Sequence, residues 1–320
     1  MKKKIFINRK EVRGPWGGEN SFMGALCGYL KKKYKITTDI RSNFDIALIN
    51  ALTLITLEDI KKIHERGIPI IHRKTNFIAS GSEKIRKKIN GVVIGDKIQI
   101  DFSRYIKHSI FQSNFSYKFF QSEGFNSNYD IINNGADEKI FNLYLRKFLF
   151  KKKRNFWSSN NKFKLLIVSW SSNQMKGFEE YRSIDKSYNL KNTEIKFVGN
   201  LPASLEFKKI ISLKPQPKKK LARIYKDSHA LLFLGKYETC SNTITEAINC
   251  GLPIIYEDSG SNSEVVKNCG ISYSGFLKKD LEFIKDNYSG LIENCKKRDL
   301  KISSVAPKYE KIIERYLVKL

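Results

Sequence analysis

The sequence predicts an α/β protein built from two parallel-sheet domains in tandem, and three observations predict it. Short apolar runs alternate with helical patterns over residues 4–135, the same alternation restarts at residue 163, and residues 143–162 between them lack a clean period. Strands alternating with helices give a parallel sheet covered on both faces. The 320 residues suit two domains of ordinary size. The expected division is a first domain at 1–145, a linker at 146–162, a second domain at 163–305 and a terminal helix at 306–320.

In the first half, "KIFIN" (4–8) reads as a strand ending in a polar loop, 9–20. "SFMGALCGYLKKKY" follows as a helix, with Phe22, Leu26 and Leu30 at helical spacing. "DIALIN" (45–50) is a buried strand, and "LEDIKKIHERG" a helix closed by Gly67. "IPIIH" (68–72), "SIFQS" (109–113) and "YDIINNG" (129–135) complete the first set of strands. In the second half, strands are expected at "FKLLIVSW" (163–170), "EIKFVGN" (194–200), "HALLFLG" (229–235) and "LPIIYED" (252–258). Helices are expected near 177–190, 218–227 and 242–250, and a last one after Pro307 that could pack across both domains. Ligands in such sheets sit beyond the carboxyl ends of the strands, so a cleft between two domains is the expected site.

Composition narrows the class. An apolar fraction of 41% with 21 Phe argues against disorder. No apolar run approaches the length of a membrane span, and the apolar part of "MKKKIFINRK" is a strand and not a signal-peptide core. A soluble cytoplasmic protein is expected. Five scattered cysteines, Cys27, Cys240, Cys250, Cys269 and Cys295, with no C-x-x-C, read as reduced thiols and not a zinc site. The charge is high: 59 Lys+Arg against 32 Asp+Glu gives +27. For any one cluster, such as "RKFLFKKKR" (146–154), a solvated face is the plain reading. For the sum, weak attraction to an anionic membrane surface is favoured over nucleic acid, because no nucleic-acid-binding signature accompanies it.

Three segments carry chemistry. "RGPWGGENSF" (13–22) lies between the first strand and first helix, where Gly17 and Gly18 let backbone N–H groups approach a ligand closely. "SWSSNQMKGF" (169–178) leaves the first strand of the second half, and Lys176 there could place an ammonium on a phosphate. "YETCSNTITEAINCG" (237–251) places Glu238 in a loop at a strand's carboxyl end. A helix follows that Ser241 or Asn242 can cap and Gly251 ends. The start of that helix, at Asn242 and Thr243, offers N–H groups and a positive dipole end to an anion. Glu246 sits about one turn inside, and a carboxylate accepts hydrogen bonds only, which suits paired hydroxyls. Two readings of this stretch alone stay open: a site for a sugar nucleotide, or a loop charge and a solvent-facing helix residue.

The segment "ETCSNTITEAINCGLPIIY" resembles the E-x7-E motif of retaining glycosyltransferases of family 4, which have the GT-B fold. Other segments fall in that family's order: "GPWGG" with its glycine loop, "IPIIHR" with a strand ending in His-Arg, "SIFQSNFS" and "INNGADEKIF" with the end of its first domain, "SWSSNQMKGF" with its lysine loop, and "FVGN" with the strand beyond. The similarity runs from about residue 4 to 270. It implies two Rossmann-like domains facing each other across a cleft, with the C-terminal helix crossing back.

Carried onto this chain, the resemblance implies that Glu246 holds the donor ribose and Glu238 contacts the transferred sugar. Asn242, Thr243 and Lys176 would hold the diphosphate, beside Ser241, Gly199 and Ser171. Gly17 and Gly18 would admit the donor phosphate and acceptor, and His72 would touch the donor sugar, making Glu238, Lys176 and His72 the catalytic set. The donor is then a nucleoside diphosphate sugar with no further cofactor, and the acceptor a glycan or lipid-linked hydroxyl on the cytoplasmic face of the membrane. No D-x-D motif lies near these segments, in keeping with transfer that uses no metal. Two positions depart from the family. Ser171 stands where an arginine is usual, with Arg73 and Arg13 as candidate replacements, and Thr75-Asn76 stands where Asp-Gly usually follows the His-Arg. The first departure keeps open an alternative, a degenerate module that binds a sugar nucleotide without turnover.

Overall fold

The computed structural model describes residues 2–9, 17–50, 54–74, 99–143, 161–187, 189 and 192–318. Arg13, Thr75, Asn76 and the expected linker up to residue 160 lie outside the described residues. Contacts divide the chain into two units: Met1–Val12, Met23–Asn134 and Ile302–Leu320 form the first, Arg13–Phe22 and Gly135–Lys301 the second.

The first unit is a parallel six-stranded sheet in the order β2-β1-β3-β4-β5-β6. Its strands are β1 (Lys4–Ile7), β2 (Lys35–Thr37), β3 (Ile46–Ile49), β4 (Ile70–Arg73), β5 (His108–Phe111) and β6 (Tyr129–Ile131). All positions of β3, β4 and β5 are buried, which is why these strands read as unbroken apolar runs. Helix α1 (Gly18–Leu30) begins among residues grouped with the second unit. Helix α2 (Leu57–Glu65) turns Ile60 and Ile63 onto Phe6, Ile49 and Ile70. Its start is fixed by Thr56, whose hydroxyl accepts from the Asp59 N–H while the Asp59 carboxylate accepts from the Thr56 N–H, two otherwise orphaned donors satisfied reciprocally. Helix α3 (Asn114–Ser122) is capped by Ser113.

The terminal helix also belongs to the first unit, and it differs from the sequence reading. It runs Ile302–Leu317 with Pro307 inside it, not ahead of it. A proline there removes one backbone bond and costs roughly 3 kcal/mol. The buried stripe Ile302, Val305, Ala306, Tyr309, Ile312 and Ile313 offsets that cost. Glu310 accepts from the Tyr29 hydroxyl at 3.1 Å and pairs with Lys33 at 3.1 Å.

The second unit repeats the architecture, in the order β12-β11-β10-β7-β8-β9. Its strands are β7 (Phe163–Ser169), β8 (Thr193–Gly199), β9 (Ile211–Leu213), β10 (Ala230–Phe233), β11 (Ile254–Tyr256) and β12 (Gly270–Ser272). Its helices are α4 (Phe178–Ser187), α5 (Lys218–Asp227), α6 (Asn242–Asn249), α7 (Asn262–Val266), α8 (Leu277–Asp286) and α9 (Tyr288–Lys297). The chain joins this unit before the expected boundary at 145, because the Ala136 N–H donates to the Leu300 carbonyl at 2.9 Å and Phe141 packs on Tyr225 inside its core. No described helix is long and apolar enough to cross a membrane.

Edge strand β9 is anchored by one carboxylate. Asp185, on α4, accepts from the N–H groups of Lys208, Lys209 and Ile210, each at 2.8 Å. Burial pushes its pKa up, but the three donors overcome this and hold it below the usual range. Asp185→Ala, which strands three donors, is expected to cost about 2–3 kcal/mol in urea unfolding. The anchor contributes fully above the unfolded-state pKa of about 3.9 and is lost as pH falls through the lower folded value. The wild-type advantage over the variant is therefore expected to shrink on acidification below about pH 4.

Candidate functional site

The carboxyl ends of β7, β8 and β10 and the helix α6 that follows β10 carry most of the residues singled out in the sequence. After β7 the chain makes a short 3-10 turn, Gln174–Lys176, capped by Asn173, whose side-chain oxygen accepts from the Met175 N–H at 2.9 Å. Gly177 then adopts φ +82°, and a Cβ there would lie 2.5 Å from the Leu234 carbonyl oxygen. Only glycine allows that turn to seat against the end of β10. The Lys236 N–H, donating to the Met175 carbonyl at 2.8 Å, ties the two loops together.

Beyond β10 the chain passes through Tyr237 at φ +56°, an uncommon conformation for a non-glycine residue. It is fixed by the Tyr237 N–H donating to Ser259 Oγ at 3.0 Å and the Ser261 N–H donating to the Glu238 carbonyl at 2.8 Å. The turn directs the Glu238 side chain inward, where the Lys176 ammonium donates to Oε1. The carboxylate is 10% exposed and the lysine side chain 26%. Lys176 and Glu238, 62 residues apart, thus form one ion pair.

A cavity within the second unit collects six of the donor-site residues. Gly17, Gly18, Gly199, Asn242, Thr243 and Glu246 line it, together with Ser21, Phe141, Val168, Trp170, Val198, Pro215, Gln216, Lys218 and Leu221. Gly18 approaches α6 so closely that a Cβ would meet the Asn242 side chain at 2.7 Å. Gly199 ends β8 at φ +147°, with the place of a Cβ taken by the Ser169 carbonyl. Ser241 occupies the N-cap of α6, yet its side chain makes no capping bond. Its carbonyl accepts from the Thr245 N–H and hydroxyl. The first-turn N–H groups of α6 therefore have no side-chain cap of their own at the cavity wall, in keeping with an anion site.

Glu246 lies one turn into α6 and is 7% exposed. The Ser21 hydroxyl donates to its Oε1 at 3.1 Å. Burial pushes its carboxyl up to about 7, against the opposing effects of Ser21, Lys218 and Tyr225. Near neutrality this group can accept a proton-bearing partner or donate one bond itself.

Other sequence-derived candidates fall elsewhere. Ser171 does not line the cavity; its hydroxyl accepts from the Asn173 N–H at 3.2 Å and its carbonyl accepts from Ser169 Oγ at 2.7 Å. His72 belongs to the first unit, is fully buried on β4, and neither ring nitrogen has a hydrogen-bond partner among the described residues. Burial, with Lys74 and Arg73 alongside, lowers its pKa well below the usual value, so the ring is neutral. Arg73 is buried in the first unit, donating to Asn50 Oδ1 at 2.8 Å and Asn134 Oδ1 at 2.7 Å.

Nine of the lining residues were not anticipated, Ser21, Trp170 and Lys218 among them. Ser21 sits three and four positions after Gly18 and Gly17, the spacing that puts it on their helix face. Trp170 was read only as the end of a strand, and its indole packs on Gly17. Lys218 opens the run "KKK" at 218–220, and nothing local separates it from its two neighbours.

Residues 149–299 match the family model described as "Glycosyl transferases group 1". Among solved structures, the Anabaena Alr3699/HepE protein in complex with UDP-glucose is 12% identical with a TM-score of 0.68, the match covering 98% of this chain and 99% of that one. Sucrose-phosphate synthase from Thermosynechococcus elongatus is 12% identical with a TM-score of 0.67, covering 95% and 79%. An α,α-trehalose-phosphate synthase (UDP-forming) from Burkholderia vietnamiensis is 10% identical with a TM-score of 0.63, covering 86% and 72%. No curated protein matches the chain. At these identities the likeness is one of fold: two Rossmann-like units of the GT-B type.

Glu246 generates a stability prediction. Its folded-state pKa of about 7 lies above the unfolded value of about 4.3, so its stabilising contribution is full below that unfolded value and is lost as pH rises through about 7. In thermal unfolding scans, Glu246→Gln is expected to remove a loss of melting temperature that the wild type shows between about pH 5 and pH 8. A wild-type profile identical to the variant's would contradict the assignment.

Proposed function

We propose that the protein is a metal-independent, retaining glycosyltransferase of family 4, moving a sugar from a nucleoside diphosphate sugar to a hydroxyl of a glycan or lipid-linked acceptor. One observation carries this reading. The segment that matches the glycosyltransferase model supplies most of the cavity wall, including the α6 N-terminus and Glu246, and also carries the Lys176–Glu238 pair.

The chemistry follows from the residue types. Breaking the bond between the anomeric carbon and the diphosphate makes the carbon cationic and loads negative charge onto the leaving phosphate. The Lys176 ammonium and the N–H groups of Asn242 and Thr243 supply fixed positive charge where that charge develops. Glu246 takes the ribose hydroxyls and Glu238 those of the transferred sugar, since each offers acceptor oxygens at a site largely removed from water. Gly17 and Gly18 leave room for the phosphates beside the helix start. The acceptor oxygen attacks on the face that the diphosphate leaves, its proton passes to the leaving phosphate, and configuration is retained with no protein base. Lys218, on the cavity wall, is the described cation that lines it and offers partial compensation for Ser171.

The acceptor belongs to cell-surface polysaccharide or lipopolysaccharide synthesis in this reading, and the net charge of +27 draws the protein to the anionic cytoplasmic face of the membrane. Lys176→Ala and Glu238→Ala are each expected to lower transfer about a hundredfold or more, with unfolding curves that show an intact fold. Unchanged activity in both would sink the proposal, and sugar-nucleotide binding without transfer or hydrolysis by the wild type would favour a binding module instead. Sedimentation with anionic vesicles is expected at low salt and is lost at high salt; equal sedimentation with neutral vesicles would remove the membrane part.

A further inference from the structure

We infer that Glu238 is the resting counter-ion of Lys176, and that this pairing makes the site select an intact sugar nucleotide over the free nucleoside diphosphate. The inference rests on the glycosyltransferase reading and assigns Glu238 a task beyond touching the sugar.

Three features of the pair support it. First, backbone contacts fix the places from which both side chains start. The Lys176 turn is wedged against Leu234 through Gly177, while Glu238 is held through its carbonyl by the Ser261 N–H. From those places the ammonium and carboxylate meet as an ion pair. Second, Lys176 is the side chain that hydrogen-bonds the Glu238 carboxylate among the described residues. The cation nearest in sequence, Lys236, is engaged by Glu180 at 2.6 Å. Third, the carboxylate is nearly buried. Removing its partner leaves a charge in a poorly solvated place, which is costly.

A diphosphate that recruits Lys176 must therefore compensate Glu238 for the lost bond. The free nucleoside diphosphate cannot do so: it offers no donors beyond its terminal phosphate, and that phosphate's added negative charge repels the carboxylate. The intact donor carries hydroxyls beyond the phosphates, which donate to the carboxylate as the ammonium leaves. The swap exchanges one charge-assisted interaction for others and leaves no orphan. After transfer the sugar is gone, Glu238 is again uncompensated, and its pull on Lys176 helps expel the product.

Calorimetric titration tests this with matched pairs: UDP and UDP-glucose, GDP and GDP-mannose, ADP and ADP-glucose. For the pair that binds, the wild type is expected to hold the sugar nucleotide more tightly than the diphosphate. Glu238→Gln is expected to tighten the diphosphate about tenfold and to weaken the sugar nucleotide, so the ratio of the two constants falls. Lys176→Gln is expected to weaken both. If circular dichroism shows Glu238→Gln unfolded, Glu238→Asp, which withdraws the carboxylate from the ammonium, is expected to move the ratio in the same direction. A ratio unchanged in the folded variant would overturn the inference while leaving the glycosyltransferase reading intact. A folded wild type that binds none of the six nucleotides would overturn both.

Discussion

Main-chain contact at the carboxyl edge of the second sheet governs everything else in the candidate site. The turn after β7 touches the end of β10 through a glycine whose missing Cβ leaves room for a carbonyl oxygen. The Lys236–Met175 bond and the Ser261–Glu238 bond reinforce the same junction. Chemistry in this unit is thus placed by backbone geometry first, and the side chains inherit their positions.

Within that frame the two carboxylates stand in different surroundings. Glu238 is paired with an adjacent ammonium, whereas burial pushes the Glu246 carboxyl up to about 7. Burial in apolar surroundings penalises an ion, and a partner relieves the penalty. The difference suits their proposed ligands: one group stands beside the cation that the phosphates need, and the other stands deep enough to meet hydroxyls away from water. The helix start between them supplies positive potential without a side chain that could swing away.

Much of the fold was legible because buried parallel strands write themselves as apolar runs. β1, β3, β4, β7, β8, β10 and β11 were all visible for that reason. The strands that went unread, β2, β9 and β12, are three-residue strands, β2 and β12 at sheet edges beside β1 and β11 and β9 at the edge beside β8. Half-exposed and short, they owe their existence to pairing and, for β9, to the anchor at Asp185. The terminal helix was misjudged because a proline is a strong local stop, and only tertiary burial reveals why it was tolerated. In the site, Lys176, Glu238 and Glu246 were legible from their places after strands and within a helix. Ser21, Trp170 and Lys218 were not, since their roles depend on which segments meet and no local pattern records that. His72, marked by its motif, is a buried residue of β4 whose ring nitrogens have no hydrogen-bond partner among the described residues.

The make-up of the first unit bears on the order in which the protein can become whole. Its sheet is complete once residue 131 has been made, yet the helix that buries Ile302 through Ile313 against it arrives only after the whole second unit has emerged. A ribosome adding about 5–20 residues per second leaves that face of the sheet bare for roughly ten seconds or more. During that interval the second unit, nearly contiguous in sequence, can finish first. The half that begins first is completed last, and its bare face is where a chaperone would find its opportunity.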